Sequence, residues 1–322
     1  MSLAVCFLAY AVVVMVIGPS LLVRATRSGI APRLGMAAWI AAMGSVLGSW
    51  AAAAGLLGGE LMKTSGHLDG AVGGCVTELA AVAGGDRGGI VQAGMAAAAS
   101  LTAIGIAVVG ARVALALHRS RADTRRHAEA ALLAARGTPR GPDGALVVDA
   151  PHRSVYCLPG RTDTIVITRS ALDALNSSQL AAVMAHERAH LTGRHHQLLA
   201  FTAALARILP GSRLFTEGAC EIARLAELAA DDEAARRHGR DSVVDALLSL
   251  CAPGVAAPSP LPVPGLGAAK VGVADRVERL LFPPNPARAR LAQTAAVAAL
   301  LLGPAVLAAL VFTQAPMCAA LI

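Results

Sequence analysis

The stretch VMAHERAHL at residues 183–191 contains the pattern H-E-x-x-H, and its flanking residues are typical of a helix. His186 and His190 are four residues apart and therefore lie on one helical face, where both imidazoles can reach one metal ion. Glu187 stands beside the first histidine, so its carboxylate can take a proton from metal-bound water. The pattern predicts a metal site with a general base; a surface helix with two solvated histidines is the alternative.

The residues around this helix predict a small α+β region. Three short β-rich runs indicate a hairpin or a three-stranded sheet, at residues 145–149, 154–158 and 164–168. The residues Asn-Ser-Ser at 176–178 offer an N-cap for a helix that begins near Gln179. The sequence after His190 is too polar for a membrane span, so the metal site is not expected inside the bilayer.

A second helix is predicted from Glu217 to His238, with Gly239 as its end. Catalytic zinc typically takes three protein ligands, and Glu227 on this helix is our candidate for the third. Asp231 lies one turn further on the same face, where it can accept a hydrogen bond from a ligand imidazole. An ordinary acidic helix face is the alternative, because other acidic residues are available: Glu221, Asp232 and Glu233. As extra ligands, His195 and His196 are weaker candidates than as solvated or structural histidines.

The stretches that flank these helices leave one question open. The apolar run 198–209 ends at Pro210-Gly211 and is too short to cross a bilayer. It is either a core helix or a helix that lies against the membrane surface. Residues 253–267 form a proline-rich linker, and residues 275–282 are expected to form a short amphipathic helix.

The composition indicates a membrane protein. Hydrophobic residues make up 55% of the 322 residues, charged residues only 15%, and the mean hydropathy is +0.59. The net charge of +7 could suggest nucleic-acid binding. However, aromatic residues are only 3%, and the arginines cluster beside apolar runs, as the positive-inside rule predicts. We therefore expect these arginines to lie beside a lipid bilayer and not to bind nucleic acid.

Four membrane spans are predicted, with both termini outside and the soluble region in the cytoplasm. Three spans lie within residues 1–117, at about 3–23, 36–57 and 90–117, and the fourth lies within residues 291–322, at about 291–312. Residues 58–89 form an outside loop, and residues 118–290 form the cytoplasmic region. The expected location is the plasma membrane. Cys75 and Cys318 would both be outside, where a disulfide is possible.

Taken together, these stretches of the sequence resemble the membrane-bound gluzincin peptidases. The similarity is to the BlaR1/MecR1-like M56 group and to its HtpX/Ste24-like M48 relatives, over about residues 140–283. The matching stretches are residues 159–168, AHERAH at 185–190 followed by Arg194-His195, ELAADDEA at 227–234 and RVERLL at 276–281. The resemblance implies Glu227 as the third ligand of one Zn²⁺ ion and Asp231 as the residue that orients a ligand. It also implies a mainly α protein, a four-span transmembrane helix bundle with a cytoplasmic α+β gluzincin (HExxH) metallopeptidase domain.

The resemblance has one departure. The M56 receptors carry a penicillin-binding sensor domain after the last span, and this chain ends about ten residues past the predicted span. We therefore expect no such domain and no direct acylation by β-lactams.

The expected function is a membrane-anchored zinc endopeptidase that cleaves a protein substrate, by analogy a BlaI-like repressor. His186, His190 and Glu227 would hold Zn²⁺, and Glu187 would deprotonate the attacking water. The strand near 155–158 could align an extended peptide by main-chain pairing. Arg236 and His238 are weak candidates for stabilising the oxyanion. No substrate-binding residue is assigned. The alternatives are an HtpX-like quality-control protease and a non-proteolytic signalling scaffold with a vestigial zinc site.

Overall fold

The computed structural model describes residues 3–65, 87–160, 163–251 and 272–283, and residues 290–309 except 292, 301, 307 and 308. These residues are mostly helical. Much of the predicted outside loop, the proline-rich linker, the Cys75–Cys318 pair and the end of the predicted fourth span lie outside them.

Three helices within the described residues are long and apolar enough to cross a membrane. They are α1 (Leu3–Thr26), α2 (Pro32–Ser65) and α3 (Arg87–Ala134), and their apolar segments are Leu3–Thr26, Pro32–Gly58 and Ser100–Ala134. The first two segments agree with the predicted spans. The third predicted span lies within α3, which is one continuous helix of 48 residues and runs on past residue 117. The described residues from 290 to 306 are also helical.

A three-stranded sheet follows α3, and each strand lies within a predicted β-rich run. The strands are β1 (Leu146–Val148), β2 (Val155–Leu158) and β3 (Thr164–Thr168). The order is β1-β3-β2, with β3 parallel to β1 and antiparallel to β2. This order places β2 at an edge of the sheet, where it packs on the helix that carries H-E-x-x-H.

Six further helices are described after the sheet. They are α4 (Arg169–Ala174), α5 (Ser177–Thr192), α6 (His195–Ile208), α7 (Arg213–His238), α8 (Arg240–Cys251) and α9 (Val273–Leu281). Asn176 begins α5 through a capping box with Gln179, as the predicted N-cap suggested. The helix α7 begins four residues earlier than predicted, and our sequence analysis did not identify α4 or α8.

The helices α6 and α7 pack against the membrane helices. Phe215 of α7 lies beside Trp50 of α2, with ring centroids 6.5 Å apart. One turn further along α7, Gly218 lies against Trp39 and Met43 so closely that a side chain would overlap both. The apolar run 198–209 therefore belongs to a core shared with α1 and α2, and Leu205 is fully buried in it. This answers the question that the sequence left open about that run.

Candidate metal centre

The candidate metal centre lies between α5 and α7, which pack against each other. Small side chains meet at this contact, where Ala234 of α7 is completely buried in one cluster with Ala182 and Ala185 of α5. Alanines allow two helices to approach closely, because they leave no bulky side chain between the backbones. The close approach brings a carboxylate of α7 to the two histidines of α5.

The structure brings His186, His190 and Glu227 together. The two Nε2 atoms are 3.0 Å apart, and the carboxylate oxygens of Glu227 lie 3.6 Å from His186 Nε2 and 3.5 Å from His190 Nε2. One ligand atom from each of the three residues fits within 4.8 Å of the others. Three potential ligands therefore converge on one point.

The other three acidic residues considered as the third ligand point elsewhere. Glu221 binds Arg224 and Thr26, Asp232 binds Arg279, and Glu233 binds Arg236 and Arg237. Among the four acidic candidates for the third ligand, only Glu227 faces the histidine pair. Which acid faces the histidines depends on how α7 is rotated about its axis, and the sequence of α7 alone does not predict that rotation.

Both histidines are held through their second nitrogen. His186 Nδ1 lies 3.0 Å from Asp231 Oδ1, and His190 Nδ1 lies 3.0 Å from His195 Nδ1. Asp231 therefore lies where the sequence placed it. His195 is a buried histidine that contacts a candidate ligand, in keeping with the structural alternative that the sequence favoured for it. Its contact with His190 was not predicted, because it depends on a sharp turn between α5 and α6 in which Arg194 is left-handed with φ of 51°.

A buried arginine completes the centre. Arg276 of α9 is 5% exposed and donates two hydrogen bonds of 2.7 Å to Asp231, from Nε and Nη2. Its Nη1 lies 3.1 Å from Glu227 Oε2. One guanidinium thus contacts the third candidate ligand and the residue that holds the first. We noticed this arginine only as part of the resembling RVERLL stretch, and no local pattern predicts its partners.

Burial shapes the protonation of the candidate base. Burial raises the pKa of Glu187 to about 7, against the lowering effect of the positive charge of His186. The Cys157 thiol of β2 hydrogen-bonds to this carboxylate, and its own pKa is raised, mainly by burial. Glu187 Oε2 has no hydrogen-bond partner within the described part of the chain. A buried carboxylate with a pKa near neutrality is suited to proton transfer.

The candidate ligands differ in charge. Burial lowers the pKa of His190 to about 3, so this imidazole is neutral. Burial also disfavours the charged form of His186, but hydrogen bonds to Asp231 and Glu227 outweigh it and raise its pKa to about 10. Burial opposes ionisation of Glu227 as well, yet the hydrogen bond with His186 lowers its pKa to about 2. The pKa of Asp231 is also lowered despite burial, chiefly by hydrogen bonds from Arg276 and His186.

These residues fit a zinc ion. Two imidazole nitrogens and one carboxylate are a common ligand set for catalytic zinc, which keeps a fourth position open. The Nδ1 atoms are already engaged, so the Nε2 atoms are the ones that face the common point. The unpaired Glu187 oxygen adds a buried acceptor beside that point. Zinc binding would displace the proton from His186, because only a neutral imidazole coordinates a metal.

The two residues guessed for oxyanion stabilisation lie near the end of α7. Arg236 pairs with Glu233, and His238 is the exposed last residue of the helix. The described contacts of neither residue reach the histidine pair.

The comparison with protein families agrees with this centre. The model of Peptidase family M48 matches residues 118–266, a little under half of the chain, and that range includes His186, His190 and Glu227. The match supports an M48-family metallopeptidase. No curated protein and no solved structure matches the chain significantly.

Proposed function

We propose that the chain is a membrane-anchored zinc endopeptidase with its metal centre on the cytoplasmic side. The convergence of His186, His190 and Glu227 beside the buried carboxylate of Glu187 carries this proposal. The M48 match supports the peptidase assignment, and three apolar helices support membrane anchoring.

The position of the centre supports the cytoplasmic assignment. Leu228, next to Glu227 on α7, packs beside Gly29 in the loop between α1 and α2. That loop is flanked by Arg24, Arg27 and Arg33, and arginine-rich short loops remain on the cytoplasmic side. The metal centre and this loop therefore share one side of the membrane.

The residues of the centre have separate roles in the proposed reaction. His186, His190 and Glu227 would hold Zn²⁺, which supplies Lewis-acid chemistry that acidifies water and polarises a peptide carbonyl. Glu187 takes a proton from the attacking water as the water oxygen bonds to the carbonyl carbon. When the C–N bond breaks, Glu187 passes this proton to the leaving amine. Its pKa of about 7 allows both transfers at neutral pH.

We propose that the substrate backbone pairs with the edge strand β2. Cys157 of β2 hydrogen-bonds to Glu187 through its thiol and through its backbone, so this strand borders the catalytic carboxylate. An extended peptide that pairs with an exposed strand edge gains main-chain hydrogen bonds in a fixed register. Pairing with β2 would therefore bring a scissile bond next to Glu187.

Two biological roles follow from the two resemblances. The M56-like features favour a regulatory protease that cleaves one cytoplasmic repressor of the BlaI kind. The M48 match favours a quality-control protease of the HtpX kind, which acts on many misfolded membrane proteins. A scaffold with a vestigial zinc site is disfavoured, because a structural site needs no general base such as Glu187.

The Glu187→Gln variant tests the peptidase proposal. We expect the variant to bind one zinc ion per chain and to lose peptide hydrolysis by at least a hundredfold, because the amide cannot accept the proton. The control is Glu217→Gln, which removes a carboxylate of α7 that, among the described residues, forms an ion pair with exposed Arg213 alone. Undiminished hydrolysis by the Glu187→Gln variant would contradict the proposal. Substrates trapped by this variant distinguish one repressor from many membrane proteins.

A further inference from the structure

A cavity of about 700 Å³ borders the end of α9. It is bordered by the end of α7, the start of α8, the end of α9 and the loop between α1 and α2. Its walls include four arginines and one carboxylate: Arg236, Arg240, Arg279, Arg290 and Asp232. The cavity is therefore strongly basic.

Two of these arginines are already engaged. Arg279 donates two hydrogen bonds to Asp232, of 2.7 and 2.8 Å, and Arg236 pairs with Glu233. Arg240 and Arg290 make no ion pair with any carboxylate that the structure describes, and both are exposed. Two guanidinium groups at one cavity are thus available to an anion. Guanidinium groups bind phosphate oxygens well, because their planar N–H donors match the spacing of those oxygens.

The cavity lies at the level where the membrane helices leave the apolar layer. Ile30, in the loop between α1 and α2, forms part of its wall. Gln293 donates hydrogen bonds to the carbonyls of Ala25 and Ile30, which fixes the start of the last described helix beside this loop. Arg290 is the first described residue of that helix, and the neighbouring Leu291 is 73% exposed, as expected for a side chain that faces lipid. Headgroup phosphates lie at this level of a membrane.

We propose that this cavity binds the phosphate of an anionic phospholipid headgroup through Arg240 and Arg290. Ile30 and Leu280 supply apolar wall beside the charged groups, which suits a ligand with a charged head and an apolar body. A soluble phosphate has the same charged group but lacks that body. The proposal does not depend on the peptidase activity, because none of its residues belongs to the metal centre.

The site has a direct connection to the metal centre. Arg279 of the cavity and Arg276 of the centre are one turn apart on α9. An anion bound beside Arg279 contacts α9, the short helix whose Arg276 binds Asp231 and Glu227 of α7. A bound lipid therefore stabilises α9 in the position that the metal centre requires.

The test measures the thermal unfolding midpoint of the full chain in neutral detergent. Dioleoyl phosphatidylglycerol is titrated against dioleoyl phosphatidylcholine. We expect phosphatidylglycerol to raise the midpoint and phosphatidylcholine to have little effect, because only the first carries net negative charge. The double variant R240Q/R290Q should bind phosphatidylglycerol about tenfold or more weakly, through the loss of charge-assisted hydrogen bonds. The single variants R240Q and R290Q, both at exposed positions, give the same readout if the double variant folds poorly.

The matched control is R119Q/R121Q, which likewise removes two exposed arginines, in this case from α3. This control should keep the full response to phosphatidylglycerol. An equal loss in the control, or an unchanged response in R240Q/R290Q, would overturn the proposal, since general surface charge would then explain the effect. Inorganic phosphate at millimolar concentration forms a third arm. If phosphate alone reproduces the stabilisation that depends on Arg240 and Arg290, the ligand is a soluble anion and the lipid assignment is wrong.

Discussion

Contacts with single side chains orient the candidate ligands of the metal centre. Asp231 accepts from His186, and Arg276 donates to Asp231 and contacts Glu227. Asp231 is completely buried, so its charge depends on these partners for stabilisation. Partners of this kind fix the position of metal ligands, and their loss typically weakens metal binding by about 10–100-fold.

The Arg276→Lys variant tests this orientation. Lysine keeps the positive charge but cannot donate to two carboxylates in a planar fork, so we expect zinc affinity to fall by about 10–100-fold. The measurement is the zinc dissociation constant from chelator competition. The control is Arg279→Lys, which breaks a similar two-bond contact one turn away with Asp232, outside the ligand set. Equal zinc affinities in both variants would show that Arg276 does not orient the ligands.

At the scale of elements, α5 must begin at the right residue for its histidines to face α7. Asn176 accepts a hydrogen bond from the Gln179 N–H, and the Gln179 side chain accepts one from the Asn176 N–H. These bonds satisfy two backbone donors at the start of the helix. The helix ends at Thr192, and the left-handed Arg194 reverses the chain so that His195 returns to His190.

The Asn176→Ala variant tests the cap. Loss of an N-cap costs about 1 kcal/mol, so we expect the metal-free unfolding midpoint to fall by about 2–4 °C. Zinc affinity should change little, because the cap lies almost three turns from His186. Ser177→Ala is the control, since this exposed side chain makes no hydrogen bond within the described residues. The measurement is thermal unfolding followed by far-ultraviolet circular dichroism. An equal decrease in both variants would argue against a capping role.

Across the whole molecule, the region with the candidate metal centre and the long apolar helices share one core. The buried core that includes Trp39, Met43 and Val46 of α2 also includes Phe215, Ile222 and Leu225 of α7. The helix that provides Glu227 is therefore fixed by its contact with α2. Movements of the membrane helices would reach the third candidate ligand directly.

The Gly218→Val variant tests this contact. A side chain at Gly218 would overlap Met43 and Trp39, so the substitution forces α7 away from α2. We expect a loss of about 1–3 kcal/mol in stability and a weaker zinc affinity in the same variant. Gly211→Val is the matched control, because Gly211 has open space around its Cα. Thermal unfolding and zinc competition in detergent measure both effects. Unchanged values in the Gly218→Val variant would show that α7 does not depend on α2.

Features that depend on neighbouring residues could be predicted from the amino-acid sequence. The four-residue spacing of His186 and His190, the Asn176 cap, the three strands and the first two apolar helices are local patterns, and the structure has each of them close to the predicted residues. Local patterns suffice here because helix periodicity and capping involve residues within about one turn.

Which distant residues meet at the candidate metal centre depends on the packing of the folded chain. The residues alone left four acids of α7 as candidates, and the rotation of that helix against α5 brings Glu227 to the histidines and turns the other three away. Arg276 reaches Asp231 across 45 residues of sequence, and α6 and α7 join the core of the membrane helices. Such contacts depend on how helices pack, and packing is set by many side chains at once, so no single stretch of sequence predicts them.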